Sequence, residues 1–147
     1  MSAAIPVRER VLHAAARWLG TPYRHQGSQC RVGCDCLGLV RGIWADIYGV
    51  NPPEPGPYSP DWAEVSATDP LLEAAKTLCG AALAPQDARP GDMLVFRWRR
   101  GDTCKHLGIL QPDSRFIHAY SGQGVVSSPL VPQWRNRIAA AFAFPET

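Results

Sequence analysis

A cysteine at the start of a helix is placed to act as a nucleophile, and Asp35-Cys36 opens such a segment. Gly33-Cys34-Asp35-Cys36 leads into Leu37-Gly38-Leu39-Val40-Arg41-Gly42-Ile43-Trp44. Leu39, Ile43 and Ile47 recur at helical spacing, with Val40 and Trp44 beside them. Asp35 is the predicted N-cap, which puts Cys36 in the first turn. Unpaired N–H groups and the positive end of the helix dipole stabilise a thiolate there, so the spacing predicts a lowered Cys36 pKa. The same N–H groups suit the oxyanion formed when a thiolate attacks a carbonyl. Gly38 leaves little bulk beside the thiol. A buried structural cysteine would carry the same local pattern, so a nucleophile must find its base elsewhere in the chain.

Two histidines answer that need. His106 opens the apolar run Leu107-Gly108-Ile109-Leu110, and His118 lies within Phe116-Ile117-His118-Ala119-Tyr120. Antiparallel neighbouring strands can set two such rings side by side. A thiol hydrolase needs a base for the cysteine and a polar group to orient that base. Cys36, His106 and His118 fill these roles in that order. The competing chemistry is a metal site built from Cys34 or Cys36 with both histidines. Cys30, Cys34 and Cys36 cluster, but Cys79 and Cys104 are isolated, so the second knuckle of a structural zinc site is missing. The chain is therefore read as needing neither metal nor organic cofactor. Five cysteines exclude a complete disulfide framework within the chain, while a reversible Cys30–Cys34 bridge stays open. Tyr23, in the Pro- and Gly-containing loop before the cluster, either folds over the nucleophile or anchors the loop. His25 is read as loop surface or a substrate contact, and His13 as a structural position on the first helix.

The elements that must position these groups follow from periodicity and punctuation. A first helix spans Val7 to Leu19 and ends at Gly20. The central helix spans Cys36 to Tyr48 and stops at Gly49. Asn51 to Pro60 is a stiff connector with five prolines, followed by a turn capped by Asp61 and containing Trp62. Asp69 caps a helix from Pro70 to Cys79 with Leu71, Leu72, Ala75 and Leu78 as its apolar face. Strands then read at Met93–Trp98, Lys105–Gln111, Arg115–Tyr120, Val125–Ser128 and Ile138–Phe144, separated by turns. Helices first and an antiparallel meander after them make an α+β fold, with the helices on one side of the sheet. At 147 residues, 46% hydrophobic and 19% charged, the chain reads as one globular domain. A net charge of +2 gives no argument for nucleic acid. No apolar run approaches the roughly 20 residues that cross a membrane. No apolar stretch follows the N-terminal charges, so no signal peptide is expected and the chain is read as made in the cytoplasm.

Asp35-Cys36-Leu37-Gly38-Leu39-Val40, Lys105-His106-Leu107-Gly108-Ile109 and Phe116-Ile117-His118-Ala119, in this order, resemble the NlpC/P60 family of papain-like cell-wall cysteine peptidases. Gly20-Thr21-Pro22-Tyr23 resembles its tyrosine loop, and Arg89-Pro90-Gly91-Asp92 the turn before its first long strand. The resemblance implies one papain-like NlpC-type domain over the whole chain. It implies Cys36 as nucleophile, His106 as base and His118 as the group orienting that base. It further implies that Tyr23 hydrogen-bonds near the oxyanion or substrate and that Asp35 helps hold a free amine of a peptidoglycan stem peptide. The implied reaction is hydrolysis of a stem-peptide amide, often D-glutamyl to a diamino acid. Leu37 stands where the family commonly has Ser, a position that helps bind that amine, so the bond cleaved is left open. Gly-Cys-Asp-Cys with Gly-Leu-Val-Arg-Gly, and Phe-Ile-His-Ala-Tyr, look like the subgroup of tailed phages and gene transfer particles. That likeness implies tail or baseplate proteins as partners and action in the periplasm from a particle. A tail-tip module that only binds cell wall, a Cys/His metal or redox protein, and a thiol enzyme for another acyl group are the rival readings.

Overall fold

The apolar stripe of the first helix is real, and it ends one residue early. Helix α1 (Val7–Trp18) buries Val7, Val11, Ala14, Ala15 and Trp18, whereas Leu19 lies past its end and is 42% exposed. His13 sits on its exposed side, not in the core. The computed structural model describes residues 5–52 and 69–146. After α1, a two-stranded antiparallel sheet of β1 (Ser28–Gln29) and β2 (Gly33–Cys34) orders the loop that reads as plain coil in the sequence. Helix α2 (Cys36–Tyr48) has its predicted bounds, with Asp35 as N-cap and Gly49 at φ +74° behind it. Helix α3 (Pro70–Cys79) is also as expected; it buries Leu71 and Ala75 and leaves Leu72 and Leu78 half-buried. Asp69 caps it at Leu72 N–H (3.4 Å) and also accepts from Cys104 N–H (3.1 Å), tying the helix to the loop before the histidine strand. The Asp61–Trp62 turn and most of the proline connector lie outside the described residues.

The second half forms one five-stranded antiparallel sheet. Its strands are β3 (Met93–Phe96), β4 (His106–Gln111), β5 (Arg115–Tyr120), β6 (Gly124–Pro129) and β7 (Ile138–Phe142), in the spatial order β6-β5-β4-β3-β7. The meander from β3 to β6 is as expected, and β7 returns to close the free edge of β3. Strand β3 stops two residues short of the predicted Trp98, next to an irregularity in its pairing with β7 at Val95/Phe96. The fold is α+β.

Strand alternation divides the core into two layers. Met93, Val95, Leu107, Ile109, Ile117, Ala119 and Val125 join the buried residues of α1 and α2 on one face. Leu94, Phe96, Phe116 and Ala141 form the other face. That second face is covered by Leu130 and by Trp134 on a short helix, α4 (Pro132–Arg135), so the expectation of helices on one side only is amended. The crossing of α1 with α2 is close because Gly42 lies under Trp18, where a Cβ would overlap the indole. Trp18 Nε1 donates to Asp46 at 3.0 Å across the same crossing. Asp92 is fully buried and takes Arg8 Nε (2.9 Å) and Arg89 N–H (2.9 Å), pinning α1 to the start of β3.

Candidate active site

Helix α2 packs on β4 and β5 near the end of their paired register. Strands β4 and β5 pair at Ile109, Leu110 and Gln111, and His106 and Leu107 lie beyond that register. The backbone N–H groups of Leu107, of Leu37 and of Cys36 itself act on the Cys36 thiol, each in the direction that lowers its pKa. The first residue of α2 is thereby seated against the residue next to His106. Asp35 fixes this start: Oδ1 accepts Gly38 N–H at 2.8 Å, and Oδ2 accepts Gln26 N–H at 2.8 Å. Gly38 does more than spare bulk beside the thiol. A Cβ there would collide with the Gly27 carbonyl, which accepts the Asp35 N–H at 3.3 Å. Ser28 Oγ donates to Gly38 O at 2.7 Å and completes the clasp between loop and helix.

His106 and His118 come together as the strand spacing predicts. His106 Nε2 is 2.7 Å from His118 Nδ1, with the rings edge to face. Gly108 allows β5 to approach this closely, since a Cβ on it would stand 3.0 Å from Phe116 Cδ2 and 3.1 Å from Ile117 O. Both rings are almost fully buried, at 5% and 1% exposure. Trp98 stacks on His106 with a centroid separation of 6.1 Å. Trp134 lies 5.6 Å from His106 and 5.2 Å from His118. His118 Nε2 in turn is 2.8 Å from Ser128 Oγ. Sequence reasoning missed Ser128, Trp98 and Trp134. The β5–β6 register brings Ser128 here, the bend after β3 brings Trp98 and the fold-back of α4 brings Trp134, and a serine in a strand carries no mark of its partner.

The protonation states differ from the helix-dipole expectation. Burial pushes the Cys36 thiol up to about 12, with the Asp35 carboxylate acting in the same direction. The three N–H groups oppose this and do not offset it. The Cys36 residue is half-buried, and packing around the sulfur together with the carboxylate outweighs the helix terminus. Burial lowers His106 to about 3, helped by His118, and lowers His118 to about 4. Resting Cys36 is therefore a thiol and both imidazoles are neutral. Tyr23 reaches the site: β2 bridges it at Cys34, and its hydroxyl is raised to about 12 by burial and then by Cys36, Asp35 and Cys34. The residue is 37% exposed, and its hydroxyl stays protonated.

Asp35 itself is 3% exposed. Besides its backbone partners it has His25 Nδ1 at 3.8 Å from Oδ2. All five cysteines are free, so Cys30 and Cys34 are not bridged; Cys30 Sγ donates instead to Arg17 O at 3.4 Å. Among the described residues no group of three or more His, Cys, Asp or Glu side chains forms a metal-ligand set, and no helix is long and apolar enough to cross a membrane.

The profile of the NlpC/P60 family matches residues 20–142, which include the tyrosine loop, the helix-start cysteine and both histidines. The chain belongs to the NlpC/P60 family. This NlpC/P60 chain is 29% identical over 134 residues to the murein DD-endopeptidase/murein LD-carboxypeptidase MepS of Escherichia coli K12, covering 90% of the chain and 61% of that protein. It is 27% identical over 135 residues to the gamma-DL-glutamyl hydrolase of Bacillus subtilis 168, covering 91% of the chain and 29% of that protein. The chain thus spans less than two thirds of either relative. Its fold is shared with a crystal structure of an NlpC/P60 family protein from Bacillus cereus ATCC 10987, at TM-score 0.68 and 20% identity, covering 96% of this chain and 41% of that one.

Proposed function

We propose that the chain is a cysteine peptidase that hydrolyses an amide bond in peptidoglycan stem peptides. The observation that carries this reading is the pairing of His106 Nε2 with His118 Nδ1 at 2.7 Å, on the strand whose Leu107 N–H acts on the cysteine at the first residue of α2. His106 Nε2 is engaged by His118, so Nδ1 is the atom left to take the thiol proton. In the proposed reaction the Cys36 proton passes to His106 as sulfur attacks the substrate carbonyl carbon. The oxyanion is held by N–H groups at the start of α2 and by the Tyr23 hydroxyl. His106 then protonates the leaving amine. Water, deprotonated by His106, hydrolyses the thioester and restores the thiol.

The bond proposed is that between D-glutamate and the diamino acid, a choice supported by the likeness to a gamma-DL-glutamyl hydrolase. Asp35 serves mainly to cap α2 and clamp the Gln26 loop in this reading, and its charge favours a substrate ammonium near Cys36. Leu37, buried in place of the usual Ser, gives that amine no hydroxyl. The test is digestion of purified diaminopimelate-type peptidoglycan with wild type and Cys36→Ala, followed by mass analysis of released fragments. New stem-peptide termini from the wild type alone would support the reading and identify the bond. No release by either protein would overturn it. A phage-like tail tip is the proposed setting, with action in the periplasm. It rests on the likeness of Gly33–Gly42 and Phe116–Tyr120 to phage-type members, and proteomic analysis of purified particles tests it: absence of the chain from them would sink it.

A further inference from the structure

We propose that Ser128 is a positioning residue that keeps the productive tautomers of both site histidines accessible, extending the chain to Cys36–His106–His118–Ser128. This rests on the reading of Cys36 as nucleophile and His106 as base. A neutral imidazole has one N–H and one lone pair. The 2.7 Å contact between His106 Nε2 and His118 Nδ1 needs one donor and one acceptor. Two arrangements satisfy it, and only one is productive. For His106 to accept a proton from Cys36, Nδ1 must carry the lone pair. Nε2–H then donates to His118 Nδ1, and His118 carries its own proton on Nε2. That N–H sits on a ring only 1% exposed, so it must find an acceptor inside the protein. Ser128 Oγ, 2.8 Å away, supplies that acceptor in the productive arrangement; the same hydroxyl can donate when His118 Nε2 carries a lone pair instead.

In the opposite arrangement every proton is shifted by one atom. His118 Nδ1–H donates to His106 Nε2, Ser128 Oγ–H donates to His118 Nε2, His106 carries its own proton on Nδ1, and no base is left for Cys36. An oxygen at residue 128 makes the productive arrangement free of a buried, unpaired N–H. The serine is half-buried, so its hydroxyl hydrogen can turn to solvent while the oxygen accepts. Without that oxygen the productive arrangement ends in an orphaned donor. The unproductive one ends only in an orphaned acceptor, which proteins tolerate better. Ser128 lies opposite Phe116 in the β5–β6 register and reaches His118 diagonally.

The experiment compares Ser128→Thr with Ser128→Val, a pair of near-equal shape that both suit a strand and differ in the oxygen. Long-range ¹⁵N–¹H NMR correlations of the histidine rings report the tautomers directly. Wild type and Ser128→Thr are expected to show Nε2–H at both His106 and His118. Ser128→Val is expected to populate Nδ1–H at both. Its kcat on stem peptide should fall about tenfold with KM unchanged, roughly the bias of one net hydrogen bond, while Ser128→Thr stays within about twofold of wild type. Nδ1–H at His118 in the wild type would overturn the proposal, as would identical tautomers in the Val and Thr variants. If wild type shows the expected tautomers and their loss in Ser128→Val but no hydrolysis of any stem peptide, the peptidase reading fails and the tautomer assignment stands. A melting temperature for each variant separates unfolding from tautomer change.

Discussion

Burial holds Cys36 and His106 neutral at rest, so in the proposed reaction the proton moves during attack rather than before it. Substrate then has to supply part of the driving force, by excluding water and by placing its carbonyl oxygen among the α2 N–H groups. Cys36→Ala is expected to abolish hydrolysis with no loss of melting temperature; residual wild-type turnover would remove Cys36 from the mechanism. His118 should be replaceable in part. Asn can accept the His106 Nε2–H through its amide oxygen, whereas Leu cannot. His118→Asn is expected to keep about ten times the kcat of His118→Leu, and equal rates would show that His118 only packs. Cys36, His106 and His118 were legible as residue types in sequence. Their protonation states were not, because desolvation depends on what the rest of the chain packs around them.

Helix α2 works as a mount for the sulfur, and its first turn is held from two sides. Asp35 caps Gly38 and grips Gln26, and Gly38 packs on the Gly27 carbonyl. Asp35→Ala removes both carboxylate contacts. It is expected to cost about 1–2 kcal/mol in urea unfolding, at the scale of a lost N-cap, and to lower kcat more than stability alone would require. Asp35→Asn, which keeps an acceptor, should recover most of the stability. At the middle of the helix, Gly42→Ala would push a methyl into the Trp18 indole and part α1 from α2. An overpacked crossing of this kind is expected to lose about 1–3 kcal/mol, read as a lower urea midpoint; an unchanged midpoint would mean the crossing can relax. The bounds of α2 and α3 were readable because caps and glycines mark them. The β1–β2 pair and α4 were not, since pieces this short depend on tertiary contacts to form.

For the molecule as a whole, the buried titratable groups set a window of stability. His106 and His118 titrate at about 3 and about 4 when folded, below the ordinary 6.5 that applies to the unfolded chain. Between those values the unfolded chain binds protons that the folded one does not. Stability therefore rises with pH up to about 6.5 and is lost on acidification. On the alkaline side the sign reverses. Cys34, Cys36 and Cys104 are raised from 9.0 to about 12, chiefly by burial, so the folded chain holds protons that the unfolded one releases. Melting temperature is expected to be flat between about pH 6.5 and 9 and to fall on both sides. A His118→Gln variant should show a shallower acid limb; the same slope as wild type would mean that other groups drive acid unfolding.

Sequence alone determined the α+β order, the helix carrying Cys36 at its first residue, and the two histidines on neighbouring strands. Those features rest on local rules: side-chain periodicity, N-caps, and glycine at positive φ. Tertiary structure alone decided where the thiol meets the sheet, which atoms of the two rings face each other, and that Ser128 and Trp134 complete their surroundings. These depend on strand register, and register is set by packing between distant segments. The same packing reversed the sign of the Cys36 pKa shift. A helix terminus acts over one turn and is visible in sequence, whereas desolvation is a property of the assembled core.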